Sequence, residues 1–289
     1  MSENIKVTVV TICFNAEAVI EKTLKSVLEQ TYTNFEYIVK DGNSTDNTNK
    51  IIEQYEPLFK KKNIQFQHII QKDSGIYDAM NQATKLAKGN WINYMNADDI
   101  FFDKNVMNRI FENRMNSQEV LYGDSVCEYI FYGEKKEYAL WRGQHASFEK
   151  MPFCHQACFL PTKMMKEYLY DTHYKSAADF LVLTRFKKDS CPFINIHHIV
   201  SICTMDGVSN TKIKRSYQET VQIKKEYNIE GADKAAGRAA MIAMDVKQWI
   251  LMKVPRCISG RLLRFSVVHG EMKLYSSLEL LKREYYYGQ

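Results

Sequence analysis

The chain alternates between short apolar runs and stretches in which apolar residues return every three or four positions. Val7 to Cys13 (VTVVTIC) is an unbroken β-branched run of the kind a strand buried on both faces requires. Between Ala16 and Gln30, the residues Val19, Ile20, Leu24, Val27 and Leu28 fall on one helical face. Phe35 to Val39 reads as a second strand, the small and polar residues Lys40 to Asp46 as a loop feeding a helix through Tyr55, and Phe66 to Ile70 as a third strand. The stretch Gln71 to Asp99 then supplies a turn (Lys72-Asp73-Ser74-Gly75), a helix carrying Ala79, Met80, Ala83, Leu86 and Ala87, a stop at Gly89, and the apolar run Trp91 to Met95. Strand and helix thus alternate four times. That pattern predicts an α/β fold with a Rossmann-like, mostly parallel central sheet, flanked by helices and joined by right-handed crossovers.

Beyond Asp99 the order is less regular. Val106 to Met115 reads as a helix, Leu121 to Gly123 as a short strand, Val126 to Trp141 as two aromatic-rich strands turning at Gly133, and Ile199 to Cys203 as a further strand. Ser176 is placed to cap a helix beginning at Ala177, which sets Asp179 at its third position, beside free backbone N–H groups. From Arg215 onward a helical appendage is expected, broken at Pro255 and weakened at Gly260 and Gly270.

Composition adds limits. With 289 residues, 45% hydrophobic and 25% charged, the chain can bury one substantial core and carry an appendage. The net charge of +5 is uneven: residues 211–289 hold 15 Lys and Arg against 8 Asp and Glu, whereas residues 1–210 hold 24 against 26. A basic final quarter suits an anionic partner, a membrane surface or nucleic acid. The absence of any recognised nucleic-acid-binding motif argues against the second. The seven cysteines are odd in number and lie among apolar neighbours, as reduced thiols do. Cys154, His155 and Cys158 lack the second ligand pair that a zinc site needs. No apolar run nears the roughly 20 residues that cross a bilayer, and Met1 to Lys6 lacks the pattern of an export signal, so a cytoplasmic location is expected.

The fourth strand closes on Asn96-Ala97-Asp98-Asp99 and so carries two carboxylates to the carboxyl edge of the sheet, where open α/β folds bind ligands. Adjacent acids there suit Mg2+ or Mn2+, hard cations that share themselves with phosphate oxygens. Asp41 is expected on the same rim, where a carboxylate can accept the N–H and hydroxyl groups of a nucleoside; a plain turn is the competing reading of Asp41 to Asp46. There is no Walker loop and no glycine triplet after the first strand, which disfavours P-loop kinases and nicotinamide enzymes.

Thr8 to Asn15, Lys40 to Asp46, Asp73-x-Gly75-x-Tyr77-Asp78-Ala79-Met80-Asn81, Gly89-x-Trp91 and Asn96-Ala97-Asp98-Asp99 form an ordered set. In this set residues 5–210 resemble the family 2 glycosyltransferases of GT-A fold, closest to the branch that includes colanic-acid and other bacterial surface-polysaccharide transferases. The resemblance implies an inverting, metal-dependent transfer of sugar from a nucleotide donor, usually UDP-linked, to a hydroxyl of a lipid-linked or oligosaccharide acceptor. It divides residues 1–210 into a nucleotide-sugar half (about 1–100) and an acceptor half (101–210), followed by a basic tail (211–289).

Carried onto this chain, the resemblance makes Asp41 the residue that holds the base, with Thr11, Phe14 and Asn15 around it. Lys72 and Asp73 line the nucleotide-sugar cleft. Asn96, Ala97 and Asp98 meet the donor, and Asp98 first and Asp99 second ligate Mn2+ or Mg2+. Asn96 departs from the family's Asp-x-Asp-Asp; its amide can bond a ribose hydroxyl but brings no charge to a metal. His155 falls on the acceptor side and would donate a hydrogen bond to the departing phosphate or the acceptor, a structural histidine being the plainer reading. Asp179, preceded here by Ala178, takes the place of the general base, with helix capping as the alternative. Met205 to Ser209 matches a loop that closes over bound donor, or is a simple connection.

Between Arg238 and Lys273 seven Lys or Arg and two acids are interleaved with Trp249, Leu262, Leu263 and Phe265. That mixture suits a helix lying on an anionic membrane, so the protein is expected to be peripheral on the inner face of the plasma membrane, held there through residues 234–273. Packing onto the catalytic domain or onto a second copy of the chain is the competing reading. Transfer to polyprenyl phosphate, and sugar-nucleotide binding without turnover, remain as alternative functions.

Overall fold

Strand β1 (Val7–Cys13) is buried at every position because it lies between parallel neighbours and has a core on each face. Val7, Val9 and Cys13 enter one core and Val10 and Ile12 the other, as the two-residue period of a strand demands. A computed structural model of the chain describes residues 7–114, 118–131, 135–144, 148, 151–204, 213–229 and 273–287. In it β2 (Phe35–Asp41) and β3 (Gln65–Ile70) extend the sheet on one side of β1 and β4 (Trp91–Tyr94) on the other, all four parallel. Of the crossover helices, α1 (Ile20–Leu28) and α2 (Thr48–Lys61) bury Leu24, Val27, Ile52 and Phe59 in the first core. The third, α3 (Ile76–Leu86), buries Met80 and Ala83 in the second, so the sheet is wound on both faces. Gly89 allows the turn from α3 into β4: a Cβ there would lie 2.4 Å from the Thr8 backbone nitrogen.

After β4 come β5 (Ile100–Phe101), α4 (Val106–Phe111), β6 (Val120–Phe131) and β7 (Lys135–Trp141). A short 3-10 turn (His155–Ala157), β8 (Cys158–Pro161), α5 (Thr162–Tyr168), α6 (Ala178–Lys188) and β9 (Phe193–Thr204) follow. Strand β8 enters antiparallel between β4 and β6, so the sheet is parallel in its first half and mixed in its second. The chain then supplies α7 (Ile213–Glu226), β10 (Leu274–Tyr275), which pairs with β7, and α8 (Leu278–Tyr287).

Several expected boundaries move. Leu121 to Gly123 and the first aromatic strand are one strand, β6, whose register against β9 shifts around Asp124. Strand β2 runs on through Lys40 and Asp41, which are therefore ladder residues and not loop. Gly133, Met205 to Ser209 and residues 230–272, with Cys257 and nearly all of the expected membrane segment, lie outside the described residues. Among the described residues six cysteines are free thiols and no helix is long and apolar enough to cross a membrane.

Candidate active site

At its carboxyl end β1 is flanked by two loops. Cys13 pairs with Asp41 on the β2 side. On the other side the chain leaving β4 stays beside β1, with Met95 N donating to Val10 O (2.9 Å) and Ala97 N to Ile12 O (3.2 Å). Asp41 and the Asn96–Asp99 turn thus stand on either side of one strand end, about two strand spacings (~10 Å) apart.

On the β2 side, Asp41 is fully buried, and its carboxylate accepts from Ser44 N (2.6 Å) and Ser44 Oγ (2.5 Å). Asn15, in the left-handed region (φ 48°), donates its backbone N–H to the same Ser44 Oγ at 2.7 Å and accepts from Thr45 N at 2.9 Å. Asp41 therefore shapes the loop from within. The surface of the loop is offered by Phe14, 63% exposed, and by Gly42, where a Cβ would lie 3.2 Å from the Phe14 ring and 3.0 Å from Asp73 Oδ2. Phe14, Gly42 and Asp73 thus share one edge. The Thr11 side chain turns away from it: its buried hydroxyl donates to Met95 O (2.6 Å) and bonds Tyr37 Oη (2.7 Å), fastening β1 to its neighbours.

Lys40 is the residue here that sequence reasoning missed. Its side chain is completely buried, and Nζ donates to Asp73 Oδ2 (2.8 Å), Gln71 O (2.6 Å) and Asp41 O (3.1 Å). A buried ammonium needs such partners, so a lone lysine inside the run FEYIVKD was the available signal. It ties the Asp41 and Asp73 loops together, while Lys72 beside it stays exposed.

On the β4 side, Asp98 has φ 86°, a strained value for a residue with a side chain. Two neighbours on α1 hold it. Thr23 Oγ1 accepts from Asp98 N (3.1 Å) and donates to Asp99 O (2.8 Å), and Lys22 Nζ forms an ion pair with Asp98 Oδ1. The Asp98 carboxylate remains partly exposed. Asp99 does not stand beside it as a second open ligand. It is 7% exposed, and its Oδ2 accepts from Gln156 Nε2 at 2.7 Å, tying this turn to the 3-10 turn ahead of β8. Burial first, and then the charge of Asp98, push its pKa up to about 7.

Asn96 Oδ1 is buried without a hydrogen-bond partner. That orphaned oxygen and the Asp98 carboxylate are hard donors and fit Mg2+ or Mn2+, provided a phosphorylated ligand and water complete the shell. Among the described residues no three His, Cys, Asp or Glu side chains gather around a metal position. In the Cys154–Cys158 segment Cys158 Sγ donates to His155 O (3.1 Å) and Cys154 Sγ to Gln156 Oε1 (3.0 Å).

Helix α6 begins at Ala178, so Asp179 is its second residue, and Ser176 makes no side-chain cap. The cap comes from α7: Glu219 accepts from the backbone N–H groups of Lys175 (2.9 Å), Ser176 (2.8 Å) and Ala177 (3.0 Å). Asp179 Oδ1 accepts from Tyr77 Oη at 3.1 Å and Phe180 N at 2.9 Å. The motif on α3 organises this region. Tyr77 holds Asp179, Asn81 brackets Tyr170 through its N–H (2.7 Å) and carbonyl (2.8 Å), and Tyr170 Oη bonds His155 Nε2 (2.8 Å). His155 stacks on Tyr94 with centroids 5.2 Å apart, and burial lowers its pKa against the opposing charge of Asp179. Packed this way it supports the Asp179 region.

Residues 8–205 match the profile described as Glycosyl transferase family 2. A PGL/p-HBAD biosynthesis glycosyltransferase of Mycobacterium bovis (strain BCG / Pasteur 1173P2) is 28% identical over 210 residues, 70% of this chain and 78% of the relative. The Escherichia coli protein UDP-Glc:alpha-D-GlcNAc-diphosphoundecaprenol beta-1,3-glucosyltransferase WfgD is 31% identical over 119 residues, 41% of this chain and 45% of its own length. The fold is that of S. aureus TarS 1-349, solved in complex with UDP-GlcNAc (TM-score 0.56, 18% identity, 88% of this chain and 79% of that one). It is equally that of the mannosyltransferase PcManGT from Pyrobaculum calidifontis, solved with GDP-Man and Mn2+ (TM-score 0.57, 16% identity, 91% and 75%). The chain spans 43% of the longer TarS chain. The architecture is GT-A.

Proposed function

Since the chain belongs to glycosyl transferase family 2, we propose that it moves a sugar from a UDP-linked donor, with inversion, to a hydroxyl of a lipid-linked or oligosaccharide acceptor in bacterial surface-polysaccharide synthesis. One observation carries this reading. Asp41 and Asp98 flank the end of β1, and the Tyr77–Asp179 bond brings a further carboxylate to the helix that starts just after Asp73.

Phe14 offers an exposed aromatic face for the base, and Asp41 joins in by exchanging its Ser44 hydroxyl for an N–H of the base. Asn96 and Asp98 are the residues that would hold Mg2+ or Mn2+, which when bound neutralises the charge developing on the departing diphosphate. Asp99 keeps their turn docked on Gln156. Asp179 takes the proton of the acceptor hydroxyl as its oxygen attacks the anomeric carbon and the bond to the diphosphate breaks. A single base opposite the leaving group supports one direct displacement, hence inversion. Tyr77 aims that carboxylate.

The lipid-linked acceptor is supported by the name of the E. coli relative, and the cation by the Mn2+ in the archaeal neighbour. Peripheral membrane attachment through residues 234–273 rests on their sequence composition; a chain truncated after Thr211 should lose co-sedimentation with anionic vesicles. The activity test is a panel of UDP-sugars incubated with and without Mn2+ and a polyprenyl-diphosphate saccharide. Acceptor-dependent UDP release is expected for one donor. UDP-sugar binding without release would favour a non-catalytic binder, and product formation on polyprenyl phosphate alone would favour that rival.

A further inference from the structure

Away from the β1 edge, a cavity of about 480 Å³ opens between β6, the end of β7, β9 and α8. We infer that it is a second saccharide site, which takes one pyranose ring independently of the nucleotide; this rests on the chain being a glycosyltransferase. Its volume lies within the roughly 300–1,000 Å³ usual for ligand sites. It is separate from the donor edge. At the shift in β6, Ser125 Oγ turns to Ser201 (2.9 Å), beside the Cys203 and Cys154 thiols next to Asp99, whereas the neighbouring Asp124 carboxylate turns to Gly143 N (2.9 Å) and toward Tyr285.

The chemistry of the lining selects the ligand. Asp124, only 6% exposed, forms a carboxylate floor with acceptor capacity beyond its Gly143 bond. Asn195 is held in place by donating to Gly143 O (3.3 Å) and to the Tyr122 hydroxyl and by accepting from His197 N (2.8 Å), which leaves its amide oxygen a further bonding position. Tyr285 and Tyr286 meet edge to face at 5.1 Å, and Tyr286 is 43% exposed. The Arg142 guanidinium lies over the Tyr285 ring and 3.9 Å from Asp124 Oδ2. Aromatic rings beside planar bidentate groups suit a pyranose, whose C–H face packs on a ring while adjacent hydroxyls bond a carboxylate, amide or guanidinium. The Asp124 charge opposes a phosphate. A metal is disfavoured because no cluster of three ligating side chains occurs among the described residues.

The test is saturation-transfer NMR on the full chain with the methyl glycosides of glucose, galactose and N-acetylglucosamine, with and without saturating UDP. At least one glycoside should bind and stay bound in UDP. Its affinity should fall about tenfold or more in Tyr285→Ala and in Asn195→Ala and change less than about twofold in Tyr285→Phe. UDP binding, equal in all variants, reports that each is folded. The inference is overturned if no glycoside binds, if UDP displaces those that do, if both alanine variants bind like the wild type, or if inorganic phosphate alone is bound. Failure of the wild type to bind UDP while it still binds a glycoside would instead count against the donor-site reading.

Discussion

Tyr77 Oη donates to Asp179 Oδ1 at 3.1 Å, a bond between residues 102 apart in sequence that joins the crossover helix on the second face of the sheet to α6. Burial, and then the charge of Asp179, push the phenol pKa well above its ordinary value, so the hydroxyl stays a donor. Asp179→Asn should keep UDP binding and lower transfer by a factor of hundreds or more, as loss of a general base does. Tyr77→Phe keeps the ring and loses only the aiming bond, so turnover should drop roughly tenfold at unchanged UDP affinity. Equal turnover of wild type and Asp179→Asn in a UDP-release assay would end the base assignment.

Lys40 and Asp73 form a buried ion pair, and removing one partner strands the other. Lys40→Met should therefore cost about 3–5 kcal/mol in urea unfolding and weaken UDP binding as the Asp41 and Asp73 loops separate. The double change Lys40→Met, Asp73→Asn should recover part of that stability. No recovery would show that the lysine acts mainly through its two carbonyl contacts.

Glu219 gathers three backbone N–H groups just ahead of the Asp179 helix. Glu219→Ala should lower stability by about 1–2 kcal/mol and reduce kcat with little change in KM for the donor, because the proposed base would be mispositioned while the β1 edge proposed for the nucleotide stays intact. Glu219→Gln, whose carbonyl still accepts, should retain more of both. A change confined to donor KM would contradict this coupling.

His155 is half-buried by its neighbours, and desolvation holds its pKa below the ordinary 6.5. As pH falls through that value the unfolded chain takes the proton first, so the unfolded state binds more protons and stability is lost; above about 6.5 the contribution is constant. Chemical denaturation from pH 7.5 down to about 5.5 should show a smaller loss in His155→Gln than in the wild type. Identical slopes would mean that other groups govern the acid limb.

Lys22 occupies Asp98 Oδ1, one of the oxygens proposed above for a divalent cation. With UDP present, Lys22→Met should bind Mn2+ several-fold more tightly, and Asp98→Asn about tenfold or more weakly, by electron paramagnetic resonance titration. Unaltered Mn2+ affinity in Asp98→Asn would remove that residue from the metal shell.

The first hundred residues were legible because their periodicity is local. The β-branched run of β1 and the three-to-four spacing of α1 and α3 decide which faces must be covered, and covering them on both sides of a parallel sheet leaves little choice of architecture. The same spacing carried Asp41, Asp73 and Asp98 to one rim, since each lies at or just past the end of a strand in that sheet.

What the sequence left open depends on partners far along the chain. A lysine in β2 reads as the end of a strand until Gln71 and Asp73 are folded over it, and Ser176 reads as a cap until Glu219 arrives from α7. Asp98 and Asp99 are chemically alike in sequence; the left-handed turn at Asp98 leaves one carboxylate near solvent and sends the other to Gln156. Which way a side chain faces after a strand ends is set by the residues that pack against it, and only the tertiary structure brings those together.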